Sequence, residues 1–410
     1  MKRICCLLLV PVLLVSMGLS VSAEEPELPA RSWCLMDAAT GTVLRAGNEH
    51  EPLPPASVTK IMTLLLVMEA VDSGRLRWDD TVTASETAAA KGGSQIYLKA
   101  GETMTVEDMV KSIAVSSAND CACAMAELLA GSEQSFADLM NRRAEALGMK
   151  DTHFVNCTGL DDGADAASHR TSAYDIALMS RELLTAHPDI QDFTTVWMDS
   201  VRGGSFGLTN TNRLVRFYPG CTGLKTGFTS SAGFCLSASA RRDDLHLIAV
   251  VLGCDSSKVR FDACRRLLDW GFASWALLRP ELPGSCTVPV RLGTLPYIRA
   301  GFGAPPAVLV PKAQLSDVRT DLSLPPQLEA PVERGRQIGT LTVTCGETVL
   351  ARLPVTALDE AGRLGFGDLF LRLLGRIAMA PGSFGNAPEP APSAGSALSE
   401  TPKNDSVNPS

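Results

Sequence analysis

Residues 54–60 read PPASVTK and stand directly before the apolar run IMTLLLVMEAV, and this junction decides the fold. Apolar residues of the run recur at i, i+3, i+4 and i+7, a spacing that predicts a helix with a buried face. Ser57 and Lys60 are three residues apart at its start, so their side chains lie together. A serine needs a base to become a nucleophile, and a lysine serves only if its pKa falls far below about 10.4. The tetrad therefore predicts Ser57 as the nucleophile and Lys60 as its general base.

The four residues 57–60 are by themselves weak evidence for an active site. Two later stretches of the sequence support this prediction. SSAND, at residues 116–120, contains an S-x-N pattern formed by Ser117 and Asn119. GLKTGFTSSAGFCL, at residues 223–236, contains Lys225-Thr226-Gly227 ahead of a predicted buried strand. S-x-x-K, S-x-N and K-T-G in this order are the three elements shared by penicillin-binding proteins and β-lactamases. Their joint occurrence, each beside a suitable helix or strand, favours one active site over chance.

Each residue of the K-T-G element has an expected role in binding the substrate. Lys225 is the second cation that would keep Lys60 neutral, and it can meet an anionic substrate terminus. Thr226 offers a hydroxyl to the same carboxylate. Gly227 has no side chain, so the strand backbone can approach the substrate closely.

The remaining groups are expected to handle protons and the developing negative charge. Ser117 can relay a proton to the leaving amine, and Asn119 can hold a peptide carbonyl and orient Lys60. An oxyanion hole needs two donors aimed at the tetrahedral oxygen. The backbone N–H groups of Ser57 and Phe228 are the candidates for that hole.

The sequence between these motifs resembles that of one known protein family. The segments that carry the likeness are GGSQIYLKAGE, THFVNCTGLDD, HRTSAYDIALMSREL, NTNRLV, GCTGLKTGFTSSAGFCL, LLDWGF and, later, LEAPVERGRQIGTLTV. Over roughly residues 31–377 the chain is similar to low-molecular-mass penicillin-binding proteins, which are serine-type D-alanyl-D-alanine carboxypeptidases. The resemblance implies removal of the terminal D-alanine from peptidoglycan stem pentapeptides, β-lactams as covalent inhibitors, and no metal or organic cofactor.

The resemblance also implies the fold, and three positions depart from the family's usual residues. The expected fold class is an α/β (α+β) penicillin-recognising serine transpeptidase/β-lactamase-like domain followed by a small all-β domain. Ala118 replaces a more usual glycine, Cys157 a common proline, and Phe228 a histidine found in some members. If Phe228 acts through its backbone amide, its side chain affects substrate preference more than activity. His153 and His169 are interpreted as structural.

Composition changes along the chain predict five segments. Residues 1–23 combine MKR, an apolar run and a VSA ending at Ala23, which is typical of an export signal. Residues 24–278 alternate strand-like and helical patterns and form the predicted catalytic domain, and residues 279–365 are β-rich. Residues 366–380 read as an amphipathic helix, and 381–410 as a Pro- and Ser-rich disordered tail. We therefore expect an exported protein at the outer face of the cytoplasmic membrane.

The net charge and the cysteine spacings argue against two other classes, proteins that bind nucleic acid and proteins that bind zinc. The chain has 410 residues and a formal charge of −8, so it lacks the basic surface of a nucleic-acid-binding protein. Two of its 12 cysteines lie in the signal, and the remaining spacings match no zinc motif. Most of these cysteines are expected to be small buried apolar residues, and their pairing is left open.

Rival functions differ in features that the sequence carries. A class A β-lactamase needs an E-x-x-x-N element between the second and third motifs, and residues 120–224 contain none. D,D-endopeptidase activity on the same peptides stays open, because the shape of the pocket decides it. A catalytically silent wall-binding scaffold has no need for six intact active-site residues.

The helical stripe near the C-terminus has two interpretations. Two arginines flank its apolar face, which suits anionic lipid headgroups, whereas packing against the β-domain would bury the same face. Residues 368–380 are thus a candidate membrane contact. The stripe consists of Leu369, Phe370, Leu373, Leu374 and Ile377 beside Arg372 and Arg376.

Overall fold

The structure, a computed structural model, describes residues 28–163 and 165–378. The predicted signal (1–23) and tail (381–410) lie outside the described residues. The described chain divides into two compact units. The first comprises residues up to 283 with 302–323 and 340–354, and the second comprises 284–301, 324–339 and 355 onward.

Strands and helices alternate up to residue 278, and strands dominate the stretch after it. The strands are β1 (Ser32–Asp37), β2 (Val43–Gly47), β3 (Thr81–Thr83), β4 (Thr103–Thr105), β5 (Met198–Val201), β6 (Phe206–Thr209), β7 (Cys221–Thr229), β8 (Gly233–Arg242), β9 (Leu245–Cys254), β10 (Trp275–Leu278), β11 (Cys286–Arg291), β12 (Tyr297–Phe302), β13 (Val308–Pro311), β14 (Val318–Ser323), β15 (Leu328–Glu329), β16 (Gln337–Cys345) and β17 (Thr348–Ala357).

Most helices precede the K-T-G strand. The helices are α1 (Lys60–Asp72), α2 (Glu86–Ala89), α3 (Val106–Ser116), α4 (Asn119–Ala130), α5 (Glu133–Ala146), α6 (Ala173–Ala186), α7 (Gln191–Thr194), α8 (Leu214–Phe217), α9 (Ser257–Ser274) and α10 (Phe366–Ala378). Short 3₁₀ segments lie at Ala56–Thr59, Ala166–Ser168, Pro188–Ile190 and Lys312–Asp317.

A five-stranded antiparallel sheet in the order β2-β1-β9-β8-β7 organises the first unit. Alternate residues of a strand point to opposite faces, and β1 shows this directly. Cys34 and Met36 belong to the core shared with α1 and α3–α6, whereas Leu35 belongs to the core shared with α9. The sheet is therefore covered on both faces, and β7, which carries the K-T-G residues, is an edge strand.

Several local predictions are confirmed. The stretch FCLSASARRDDLHLIAVVLG, at residues 234–253, predicts a hairpin of two buried strands with a turn at residues 241–244. The β8–β9 hairpin turns between Arg242 and Leu245, inside that region. Thr105 and Asp108 have the spacing of a capping box, which predicts a helix start. The Thr105 side chain does cap α3, because it accepts a hydrogen bond of 3.1 Å from the Asp108 N–H. The helix predicted after Ser57 exists, but its first turn is a 3₁₀ segment and the α-helix starts at Lys60.

The β-rich character predicted after residue 278 is also observed. Within the first unit, β10 pairs with β13 and β14 pairs with β16, both antiparallel. Within the second unit, β11 pairs antiparallel with β12 and parallel with β15. No helix among the described residues is both long and apolar enough to cross a membrane.

The ten cysteines after the predicted signal are all free thiols, and eight of them are buried. The expectation that most of these side chains fill the core as small apolar residues is confirmed. Burial raises the pKa of the Cys34 thiol to about 12, so this thiol stays protonated at neutral pH.

Candidate active site

The predicted nucleophile and its predicted base meet at the start of α1. Ser57 lies in the 3₁₀ segment Ala56–Thr59, after Ala56, whose φ of 49° is unusual for a residue with a side chain. Lys60 is fully buried, and its Nζ donates to Ser57 Oγ at 2.8 Å and to the Thr158 carbonyl oxygen at 2.9 Å. The predicted pairing of Ser57 with Lys60 is therefore present in the geometry.

Burial also sets the charge of Lys60. Desolvation of the amine lowers the pKa of Lys60 to about 7, and the negative charge of Asp120 opposes this shift only in part. A sizeable fraction of the amine is then unprotonated at neutral pH. A neutral amine can accept the Ser57 proton, which an ammonium group cannot do.

A short loop supplies the second contact of Lys60. Asn156 Oδ1 accepts hydrogen bonds from the N–H groups of Thr158 and Gly159, and Thr63 Oγ1 donates to the Cys157 carbonyl oxygen at 2.7 Å. These bonds aim the Thr158 carbonyl at Lys60. The sequence pattern did not indicate that this loop contacts Lys60, because the loop is almost 100 residues from α1 in the sequence.

The S-x-N element forms the junction between α3 and α4. Ser117 ends α3 in the left-handed conformation, with φ 64°, and its Oγ makes no hydrogen bond within the described residues. Asn119 begins α4, and its Nδ2 donates to the Gly92 carbonyl oxygen at 2.7 Å. Its buried Oδ1 has no hydrogen-bond partner there. Lys60 is bonded to Ser57 and Thr158 instead, so orientation of Lys60 by Asn119 stays a prediction.

Asp120 is a buried residue of the site that the sequence interpretation missed. Its carboxylate accepts hydrogen bonds from the N–H groups of Ile96 at 3.1 Å and Leu98 at 3.0 Å. Between them, Tyr97 has a φ of 61° and an exposed side chain. The carboxylate therefore holds a strained loop next to Asn119. An acidic residue directly before the apolar run CACAMA was the available signal.

The K-T-G residues lie on the edge strand β7. Lys225 is 1% exposed and its Nζ donates to the Thr226 carbonyl oxygen at 3.1 Å. Burial lowers the pKa of Lys225 well below its usual value, and the charges of Lys60 and Arg260 lower it further. Burial is the largest cause of the lowered pKa at both Lys60 and Lys225. Thr226 Oγ1 donates to Thr211 Oγ1 at 2.7 Å.

Gly227 permits a close approach between β7 and the segment that carries Ser57. A Cβ at this position would lie 2.6 Å from the Pro55 carbonyl oxygen and 3.1 Å from the Ser57 nitrogen. The expected close approach therefore exists, but it is made to the segment around Ser57. Phe228 follows, with its side chain more than half exposed. The two predicted oxyanion donors belong to these two neighbouring segments.

His169 contacts the catalytic segment although its sequence position gave no hint of it. Its Nδ1 accepts from the Val155 N–H at 3.1 Å, so Nε2 carries the proton and lies 2.8 Å from Thr59 Oγ1. Burial lowers the pKa of His169 to about 4, which keeps the ring neutral. His153 pairs through its backbone with Arg170. Both observations fit the structural interpretation of these histidines.

Comparison with known proteins places this geometry in one family. The profile of the D-alanyl-D-alanine carboxypeptidases matches residues 19–256, and that of the penicillin-binding protein 5 C-terminal domain matches residues 286–363. The D-alanyl-D-alanine carboxypeptidase DacF of Bacillus subtilis is 39% identical over 388 residues, which cover 92% of this chain and 98% of DacF. The predicted fold class is thereby confirmed.

Solved structures agree with the sequence comparisons. Penicillin-binding protein 5 of Haemophilus influenzae is 28% identical with a TM-score of 0.69, and the match covers 83% of this chain and 99% of that one. Penicillin-binding protein D2 of Listeria monocytogenes, solved in its ampicillin-bound form, is 31% identical with a TM-score of 0.53, covering 61% and 100%. The chain therefore belongs to the D-alanyl-D-alanine carboxypeptidase family of low-molecular-mass penicillin-binding proteins.

Proposed function

We propose that this chain is a serine-type D-alanyl-D-alanine carboxypeptidase that removes the terminal D-alanine from peptidoglycan stem pentapeptides. The observation that supports it most directly is the 2.8 Å hydrogen bond from Lys60 Nζ to Ser57 Oγ. It joins a nucleophile to a buried amine whose pKa is about 7. Family membership supplies the substrate class.

Acylation begins when Lys60 accepts the Ser57 proton. Ser57 Oγ attacks the carbonyl carbon between the last two D-alanines, and the carbonyl oxygen becomes an oxyanion. The backbone N–H groups of Ser57 and Phe228 stabilise that oxyanion. The C–N bond then breaks, and Ser117 relays the proton held by Lys60 to the leaving D-alanine amine, so that Lys60 is neutral again. The product is an ester between Ser57 and the shortened peptide.

Deacylation uses the same groups in the second half of the reaction. Lys60 accepts a proton from a water molecule, which attacks the Ser57 ester carbonyl. The tetrahedral intermediate collapses with loss of Ser57 Oγ, which takes the proton back. In both steps the protons move between side chains of this chain, the leaving amine and water.

The substrate's terminal carboxylate binds at the K-T-G element. Thr226 Oγ1 turns from Thr211 toward the carboxylate, and Lys225 supplies an ammonium group. An anion next to Lys225 raises the pKa of that amine again, so binding and protonation are linked. Gly227 keeps β7 close enough for one carboxylate to lie beside Ser57.

β-Lactams are expected to acylate the same serine and to leave slowly. The ampicillin-bound relative from Listeria monocytogenes supports this class of ligand. Residues 120–224 lack the E-x-x-x-N element with which a class A β-lactamase activates the deacylating water. D,D-endopeptidase activity is the second candidate function, because it uses the same acyl-enzyme.

The first experiment measures the intact mass after brief exposure to benzylpenicillin, for wild type and Ser57→Ala. A stable adduct of one penicillin on wild type alone is expected. Release of D-alanine from an acyl-D-Ala-D-Ala peptide, absent in Ser57→Ala, establishes the carboxypeptidase. Rapid return to native mass with penicillin consumed would instead indicate a β-lactamase. No adduct and no turnover by the folded protein would leave only the silent scaffold.

The amphipathic helix α10 supports a location of the exported protein at the outer face of the cytoplasmic membrane. Phe366 is 86% exposed, and Leu369, Phe370 and Leu374 each expose more than two fifths of their surface. Anionic lipid would cover such a face. Truncation after Ala361 should abolish flotation with vesicles containing anionic lipid, and unchanged flotation would contradict this assignment.

A further inference from the structure

Arg260 is a buried cation on the helix that packs against β8 and β9. It lies in α9, on the same buried stripe as Cys264 and Leu267, and only 8% of it is exposed. Among the described residues the other buried lysines and arginines are Lys60 and Lys225. Lys60 and Lys225 both belong to the active site. The burial of a third cation, Arg260, therefore needs an explanation.

The contacts of Arg260 are with backbone carbonyls of two strands. Its Nη1 donates to the Gly227 carbonyl oxygen at 2.8 Å and to the Cys235 carbonyl oxygen at 3.3 Å. No carboxylate within the described residues pairs with it, and its buried Nε has no hydrogen-bond partner there. A buried guanidinium without an ion pair is costly, so an ordinary packing role does not account for it.

The direction of one peptide group follows from these contacts. Gly227 and Cys235 are opposite one another on β7 and β8, and Arg260 bridges their carbonyls. The Gly227 C=O therefore points toward β8. The peptide between Gly227 and Phe228 is trans, and C=O and N–H point in opposite directions across a planar trans peptide. The Phe228 N–H thus points to the edge of β7 that carries no neighbouring strand.

Arg260 also supports the side chain of the same residue. Its guanidinium carbon lies 5.4 Å from the centre of the Phe234 ring. The Phe234 ring in turn lies 4.3 Å from that of Phe228, its partner across the two strands. Backbone and ring of Phe228 are therefore both held, directly or through one neighbour, by one guanidinium.

We propose that Arg260 is a positioning residue that fixes the Gly227–Phe228 peptide and thereby aims the Phe228 N–H at the substrate's developing oxyanion. This inference rests on the proposed function, in which Phe228 supplies one of two oxyanion donors. Arg260 itself touches neither the substrate nor Ser57. Its loss should slow acyl transfer much more than it changes the binding of the substrate carboxylate, on which Arg260 acts only through its charge near Lys225.

The test compares Arg260→Met with Arg266→Met, an exposed arginine on the same helix. Complete removal of one oxyanion donor costs about 10²- to 10³-fold in rate, and a misaimed donor costs less. We expect Arg260→Met to lower kcat and the penicillin acylation rate by about ten- to a hundredfold, with KM changed less than about threefold. Arg266→Met should match wild type.

A spectroscopic measurement separates positioning from a general loss of structure. Infrared difference spectra of the penicilloyl-enzyme, with the ester carbonyl ¹³C-labelled, report how strongly the oxyanion hole polarises that carbonyl. The band should shift to higher wavenumber in Arg260→Met and stay unchanged in Arg266→Met. If Arg260→Met does not fold, Arg260→Lys, which keeps a shorter cation, should show a smaller shift in the same direction.

The outcomes distinguish failure of the positioning role of Arg260 from failure of the proposed carboxypeptidase function. A wild-type band in a folded Arg260 variant, whether its rate is slowed or not, would overturn the positioning role and leave the Ser57 acyl-enzyme intact. Failure of the wild-type enzyme to form an acyl-enzyme at all would overturn both. A raised KM with unchanged kcat would assign Arg260 to substrate binding and contradict the proposal.

Discussion

Gly159 lies so close to Ala56 that a Cβ at position 159 would be 1.8 Å from the Ala56 carbonyl oxygen. Gly159 also has a φ of +82°, where residues with side chains are disfavoured. The residue before it, Thr158, supplies the carbonyl that accepts a hydrogen bond from Lys60. The contact therefore couples the loop that is hydrogen-bonded to Lys60 to the segment that carries Ser57.

We predict that Gly159→Ala destabilises the protein by about 1–3 kcal/mol and slows acylation by benzylpenicillin at least tenfold. Both effects arise because the loop has to move away from Ala56. Gly163→Ala is the matched control, since a Cβ there meets nothing within 4 Å. Thermal unfolding and stopped-flow acylation measure the two effects. A Gly159→Ala variant equal to the control would contradict the coupling.

The acylation rate should depend on pH through Lys60. The neutral amine is the active form, so the rate should increase about tenfold per pH unit below the Lys60 pKa of about 7 and reach a plateau above it. Lys60→Arg should be inactive throughout, because a guanidinium stays protonated. Rates measured from pH 5.5 to 9 test this, and a flat profile would exclude Lys60 as the base.

We expect Lys60 to lower the free energy of unfolding at neutral pH, although it is needed for activity. Its pKa in the unfolded chain is near 10.4 and in the fold about 7, so between these values the unfolded state binds more protons. The contribution of Lys60 to the free energy of unfolding therefore increases as the pH rises from about 7 to 10. Lys60→Met should abolish acylation, raise Tm at pH 7 and flatten this part of the stability profile. A lower Tm would indicate that the two hydrogen bonds of Lys60 outweigh its burial.

Asp120 should matter for catalysis through the loop that it holds. Asp120→Asn replaces one acceptor oxygen by a donor facing N–H groups, and loss of such bonds costs about 1–3 kcal/mol. Release of residues 96–98 should also disturb Asn119, whose N–H donates to the Ser94 carbonyl at 2.7 Å. We expect a lower Tm and slower acylation, with Asp138→Asn, an exposed position, as control. Equal effects in the two variants would exclude a specific role.

Local patterns were enough to predict the parts of the site that depend on short spacing. Ser57 and Lys60 are joined by helical geometry, and that relation needs only three residues of separation. The capping of α3 and the β8–β9 hairpin are local in the same sense. The order of the three motifs then identified the family, which carries the arrangement of distant elements.

The groups that local patterns missed act across long separations. The Thr158 carbonyl reaches Lys60 over 98 residues, and His169 reaches Thr59 over 110. Hydrophobic periodicity reports which face of an element is buried, but not what lies opposite it. Arg260 shows this limit, because its partner, Gly227, lies 33 residues away in the sequence.

The open edge of β7 has a consequence for the range of substrates. An extended peptide that pairs with an edge strand is held mainly by main-chain hydrogen bonds. Such pairing is almost indifferent to side chains that point away from the sheet. A site of this kind would therefore tolerate peptides that differ in the side chains pointing away from the sheet, while the proposed contacts of Lys225 and Thr226 would still select for a free carboxylate at the end.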